Sequence, residues 1–163
     1  MQIYLGSDHA GFELKNGIKE YLVSQGFEVV DVGADNLDLN DDYTDYIFPV
    51  ASAVAKNPRE CKGVIFGRSG QGEAMLSNRL SGVRAVVYYG GPIDIVRLSR
   101  EHNDANIISF GAQFVGLAEA KSAVRLWLGA AFSDDPRYQR RIEKAESLVS
   151  HFDKGNWWKK IWK

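Results

Sequence analysis

GVIFGRSGQGEAM, residues Gly63–Met75, decides how the chain folds. An apolar run breaks into a turn carrying Gly67, Gly70 and Gly72, and the turn opens a stretch of helical period. That is the pattern of a buried strand, a tight loop and a helix. A strand apolar on both faces belongs in a parallel sheet covered on both sides, so the rest of the chain should alternate in the same way. It does. Strands are predicted at Gln2–Gly6, Phe27–Gly33, Gly63–Gly67, Arg84–Tyr89 and Asn106–Gly111. Helices are predicted near Gly11–Ser24, Tyr46–Lys56, Gly72–Leu80, Pro92–Arg100 and Val115–Leu128. The expected architecture is α/β, a five-stranded parallel sheet with helices on both faces. Asp135 and Pro136 suit the cap and first position of a final long helix. The acidic stretch from Asp35 to Asp45 predicts an exposed loop.

Composition limits what such a fold can bind. The 163 residues, 45% of them hydrophobic, suit a single domain, taken as residues 1–155 with a tail at 156–163. Twenty basic against 21 acidic residues leave no global field for nucleic acid or an anionic membrane, so any anion site must be local. The strand-like run QIYLG follows Met1 directly, and no apolar run reaches the roughly 18 residues of a membrane span. A soluble, cytoplasmic protein is expected. Cys61, the single cysteine, can form neither an internal disulfide nor a multi-cysteine metal site.

In an open parallel sheet, ligands bind beyond the carboxyl ends of the strands. Ser7-Asp8-His9-Ala10-Gly11 follows the first strand and Arg68–Glu73 the third, so two polar, glycine-bearing turns share one edge. The spacing of Gly67 and Gly72 resembles a phosphate loop, but Glu73-Ala74 stands where lysine and a hydroxyl residue would be needed. The dinucleotide pattern GxGxxG fails too. What remains is a row of backbone N–H groups beside a carboxylate. Donors that hold a developing oxyanion, next to a base that removes a proton, are what enolisation of a carbonyl compound requires. His102-Asn103 ends the helix before the last strand, which ordinarily lies at the opposite edge, unless a bend brings it round.

The motifs GSDHAGFELK, TDY (Thr44–Tyr46), GRSGQGE, SNRLSGVRAVV, LSREHNDANIISFG and RYQRRIE together resemble the ribose-5-phosphate isomerase B and galactose-6-phosphate isomerase (LacAB) family of aldose–ketose isomerases. The resemblance runs to about His151. It implies a Rossmann-like three-layer α/β/α sandwich, a homodimer or dimer of dimers with active sites shared between subunits, and neither metal nor organic cofactor. It also implies roles. His102, assisted by Asp8 and Asn103, opens the furanose ring. A base moves a proton between C2 and C1 through a cis-enediolate held by Ser69 and the amides of Arg68, Gly70, Gln71 and Gly72. In one branch of the family that base is a cysteine at the position of Gly67; in another it is a glutamate matching Glu73, and this sequence resembles the second. Tyr46 belongs to the substrate pocket, and His9, Arg137 and Arg141 grip the phosphate. The two arginines are spaced to share one helix face.

The sequence departs from the family pattern at Gln113, where arginine is usual, at Tyr138, where histidine is usual, and at Arg68, where glycine is common. Taken singly, each of these residues has a plain structural explanation, such as a helix-capping acid for Glu73 or a solvated face for the arginines. Their joint occurrence in family order favours the functional one. The expected reaction interconverts ribose 5-phosphate and ribulose 5-phosphate. The alternatives are another four- or six-carbon aldose phosphate (erythrose/erythrulose, allose or galactose phosphate), or a sugar-phosphate-binding module without catalysis. The tail NWWKKIWK, with Trp157, Trp158, Ile161 and Trp162 on one helical side, reads as a short amphipathic helix packed on its own or a partner subunit.

Overall fold

A computed structural model describes residues 1–133 and 135–153, the last three by backbone alone, so the tail at 156–163 lies outside the described residues. The chain runs β1 (Gln2–Ser7), a 3-10 turn (His9–Gly11), α1 (Phe12–Ser24), β2 (Glu28–Asp31), α2 (Tyr43–Lys56), β3 (Cys61–Gly67) and α3 (Gln71–Ser77). It continues through β4 (Ala85–Tyr88), α4 (Asp94–Asn103), β5 (Ile107–Gly111), α5 (Leu117–Gly129) and α6 (Pro136–Asp153). The five strands pair in parallel in the order β2-β1-β3-β5-β4. Every residue of β3 and β5 is buried, as their continuous apolar character requires.

Alternation along the strands sorts the side chains into two cores. Ile3, Leu5, Val64, Phe66, Ile108 and Phe110 point to the face covered by α1 and α5, with Leu14, Ile18, Val124 and Trp127 against them. Ile65 and Ile107 point the other way, under Ile47, Val50, Ala51 and Val54 of α2 and beside Leu76 of α3. The result is the expected three-layer sandwich. Three helices miss a predicted bound by three residues, and α3 stops at Ser77 instead of Leu80. Helix α4 runs on to Asn103, supported by the Arg97–Glu101 and Arg100–Asp104 pairs one turn apart, and ends where Asp104 turns left-handed at φ 45°. Helix α2 starts at Tyr43, earlier than its apolar period suggests, because the first turn is polar. At α6 the prediction holds: Asp135 Oδ1 accepts the Arg137 N–H at 2.8 Å.

Strand order changes direction at β1 and β3. From β1 the chain moves outward to β2; from β3 onward it builds the opposite half of the sheet. The carboxyl ends of β1 and β3 therefore flank the crevice where an α/β sheet binds ligands. One ion pair fixes the outer wall of that edge. Lys15 is fully buried, and its Nζ donates to both Asp31 oxygens at 3.0 and 2.9 Å and to the Ala34 carbonyl at 3.1 Å. Burial pushes the Asp31 carboxyl up, but hydrogen bonds from Lys15, Lys19 and the Gly33 amide outweigh it and hold the group below the usual carboxylate range. Removing one partner of a buried pair leaves the other uncompensated. Lys15→Met should cost about 3 kcal/mol in urea denaturation. The loss should shrink on acidification, as Asp31 protonates; a cost under about 1 kcal/mol would show that Lys19 alone suffices.

Candidate active site

At the β1 end of the crevice, Asp8 caps the 3-10 turn through its side chain, which accepts the Ala10 N–H at 3.0 Å. The residue is buried, and burial raises its carboxyl above the ordinary aspartate value. At the β3 end, Gly70 adopts φ 75° to turn the chain from strand into α3, and Ser109 of β5 donates its hydroxyl to the Gly70 carbonyl at 2.6 Å. This stakes the loop to the neighbouring strand. The loop then delivers Glu73 in the first turn of α3, 5% exposed. Its carboxyl lies over the Cα of Gly67, where a β-carbon would stand only 1.7 Å from Oε1. Glycine at 67 and a carboxylate at 73 thus fill one space between them.

Electrostatics mark the same carboxyl. Burial raises the Glu73 pKa, a hydrogen bond from its own backbone opposes, and the Asp8 charge raises it further. Two carboxyls from adjacent strand ends therefore sense each other across the crevice. A group shifted this way is poised to accept and return a proton nearer neutrality than a solvated glutamate. Ser69, half-buried on the loop between them, accepts the Gln71 N–H at 3.4 Å.

Around this pair the rim is polar. The ring of His9 meets Asp41 with Nδ1 at 2.5 Å from Oδ1, and the Tyr46 hydroxyl also faces Asp41. Asp8, His9 and Asp41 offer ligand atoms within 4.8 Å of one another. The Nδ1–Oδ1 contact is nevertheless that of a hydrogen bond, because two ligands of one zinc ion stand about 3 Å apart or more. Across the loop, Arg68 Nε donates to Gln113 Oε1 at 2.7 Å. Gln113, in the loop after β5, is thus held by a guanidinium from the loop after β3.

The remaining predicted residues lie elsewhere. His102 and Asn103 end α4, and Asp104 beside them binds Arg84 at the start of β4, so they occupy the amino edge of the sheet. The length of β5 separates that edge from Glu73, about 16 Å at 3.3 Å per residue. No bend brings them round, because a helix feeding a parallel strand must finish at the edge where the strand begins. There the His102 ring stacks on Tyr138 at a centroid distance of 4.2 Å and 22°. The Arg137 guanidinium also packs on Tyr138, 4.6 Å from the ring centroid, and donates to its hydroxyl at 2.8 Å. His102, Asn103 and Arg141 line a groove of about 820 Å³ with Leu80, Val83 and Ile142.

The sequence profile of the ribose/galactose isomerase family matches residues 3–145. The chain belongs to that family. Ribose-5-phosphate isomerase B of Escherichia coli is 40% identical over 147 residues, covering 90% of this chain and 95% of the relative. Its counterpart from Mycolicibacterium paratuberculosis is 37% identical over 143 residues, 88% of each chain. Among solved structures, ribose-5-phosphate isomerase B from Mycoplasma genitalium with bound ribulose-5-phosphate superposes with a TM-score of 0.87 at 36% identity, covering 91% and 96% of the two chains. The Clostridium thermocellum enzyme gives 0.86 at 36%, covering 93% and 99%.

Within this isomerase fold, the residue that sequence reasoning missed is Asp41. It sits in the acidic stretch expected to be solvated, yet its side chain is 7% exposed. Nothing in a run of aspartates distinguishes the one that turns inward. The Gly67–Glu73 contact gives a direct test. Gly67→Ala should destabilise the fold by about 1–3 kcal/mol, the usual cost of overpacking. Combined with Glu73→Ala, most of that cost should vanish; additive losses in a thermal-melt cycle would mean the two positions do not compete for space.

Proposed function

We propose that the protein interconverts ribose 5-phosphate and ribulose 5-phosphate, with Glu73 as the base that carries the proton. One observation carries the reading: a buried carboxyl with a raised pKa, packed on a glycine and beside a loop of N–H donors, at the crevice between β1 and β3. In the aldose-to-ketose direction Glu73 takes the proton from C2, and the C2–H electron pair becomes the enediolate double bond. The charge collects on O1, where Ser69 and the amides of Arg68, Gly70, Gln71 and Gly72 supply hydrogen bonds. The O2 proton passes to O1, and Glu73 returns its own proton to C1. No electrons leave the sugar.

Ring opening precedes this and falls to His102, with Asn103 and Asp8 assisting. His9, Arg137 and Arg141 receive the phosphate, whose double negative charge suits guanidinium groups. Since His102, Asn103, Arg137 and Arg141 lie on the amino edge of their own sheet, a working site takes them from a second copy of the chain. The separation of the two groups within one subunit supports a homodimer, or a dimer of dimers, with shared sites. Tyr46 and the Arg68–Gln113 pair complete the sugar pocket.

Glu73→Gln keeps the shape and removes the basic oxygen, so kcat should fall by about 10²–10⁴ with substrate binding largely retained. Exchange of the C2 hydrogen with solvent should stop; normal exchange in this variant would make Glu73 a helix-capping acid only. In the wild type the carboxylate is the active form, and its pKa is raised. The rate should therefore drop, as pH falls, at a value above the roughly 4.3 of free glutamate. Mixing inactive Glu73→Gln with inactive Arg137→Ala/Arg141→Ala should restore part of the activity, and no recovery despite proven subunit exchange would sink the shared site. A coupled assay across four-, five- and six-carbon aldose phosphates decides the substrate.

A further inference from the structure

Asp41 lies in the loop between β2 and α2, 32 residues from His9 in sequence, and three separate donors converge on it. The His9 backbone N–H lies 3.1 Å from both carboxylate oxygens. The His9 ring presents Nδ1 at 2.5 Å. The Tyr46 hydroxyl, from the first turns of α2, faces the same group. A side chain 7% exposed in an otherwise solvated acidic loop has given up its water for these partners. Since a carboxylate only accepts, the ring nitrogen facing it carries the proton, and Nε2 on the far side of the ring is left for a ligand.

We propose that Asp41 is a positioning residue of the substrate site, holding the His9 ring in one orientation beside Tyr46 with Nδ1–H toward the carboxylate, so that in the protonated ring Nε2–H meets the substrate phosphate as a fixed donor. The proposal rests on the reading that His9 grips the phosphate. The charges facing the ring agree with it. The hydrogen bond to Asp41 raises the His9 pKa most, desolvation opposes, and Asp8, Asp41 and Asp38 add smaller raising contributions. The sign follows: His9 is cationic below its folded pKa, and the grip weakens as pH rises through it. Removing the Asp41 charge brings that loss to lower pH. Burial raises the Tyr46 hydroxyl most and the Asp41 charge adds to it, which keeps the hydroxyl protonated.

The test has a spectroscopic arm and a kinetic arm. His9 is one of 3 histidines, so its ring resonance can be assigned by comparison with His9→Gln and titrated by NMR in the intact protein. The wild-type ring should titrate above the ordinary imidazole value of about 6.5, and Asp41→Asn should bring it down. With ribose 5-phosphate as probe, the KM of Asp41→Asn should rise about tenfold at neutral pH while kcat changes by a smaller factor, and the alkaline rise in KM should begin at lower pH. Asp41→Glu retains the charge on a longer arm; it should keep the raised titration but lose part of the affinity, and it serves as well if Asp41→Asn does not fold. A wild-type His9 titrating at or below the ordinary value overturns the proposal. So does an unchanged titration in folded Asp41→Asn, or a fall in kcat with KM unmoved. A wild type without isomerase activity would overturn the functional reading instead, and the titration would still decide the Asp41–His9 pairing.

Discussion

The approach of the Glu73 carboxyl to the Cα of Gly67 is the contact on which the rest of the site depends. It requires a strand that ends without a side chain, a left-handed turn at Gly70 to reverse direction at once, and a helix that begins soon enough to place its third residue back over the strand. Two opposing effects act on the carboxyl held there. The helix amino terminus favours the anion by about 0.3–1 kcal/mol at exposed positions. Burial favours the neutral acid, and the raised pKa shows that burial wins. The contact also accounts for the either/or character of the position. A side chain at 67 and a carboxyl from 73 cannot share the space, so a larger residue on the strand and a glutamate on the helix exclude each other.

The sheet imposes the second constraint. Parallel strands fed by helices have two unlike edges: turns that follow strands gather at one, and helix ends that precede strands gather at the other. Asp8, His9, Ser69 and Glu73 belong to the first. His102 and Asn103 belong to the second because α4 runs toward β5, and α6 joins them there through Arg84, which binds Asp104 at 2.6 Å and Glu146 at 3.2 Å. No rearrangement of side chains can merge groups that stand a strand length apart.

Much of this was legible in the residues. The strand order's consequence, two polar turns at one edge, followed from the positions of Asp8 and of Arg68–Glu73 after apolar runs, and even the opposite placement of His102 followed from helix direction. What escaped were contacts between distant loops. Asp41 is one acid in a run of them, and only the fold turns it to His9. The stack of His102 on Tyr138 joins α4 to α6 across a loop whose path no periodicity fixes. The bounds of α2 and α4 were missed because their polar end turns carry no apolar stripe, only the side-chain pairs that the finished helix allows.

The Arg68–Gln113 pair shows how such a contact changes the meaning of a substitution. Read alone, Gln113 is a lost cation at the rim. In the fold its Oε1 accepts from Arg68 Nε at 2.7 Å, and the Arg68 backbone carbonyl in turn accepts the Gln113 N–H at 3.1 Å. The rim carries this guanidinium on the loop after β3, the same loop that leads to Glu73. Glutamine suits its position because it can accept what an arginine could only repel. Arg68 and Gln113 therefore act as one: the guanidinium and the acceptor that orients it come from neighbouring loops, and together they set one positive charge at this rim.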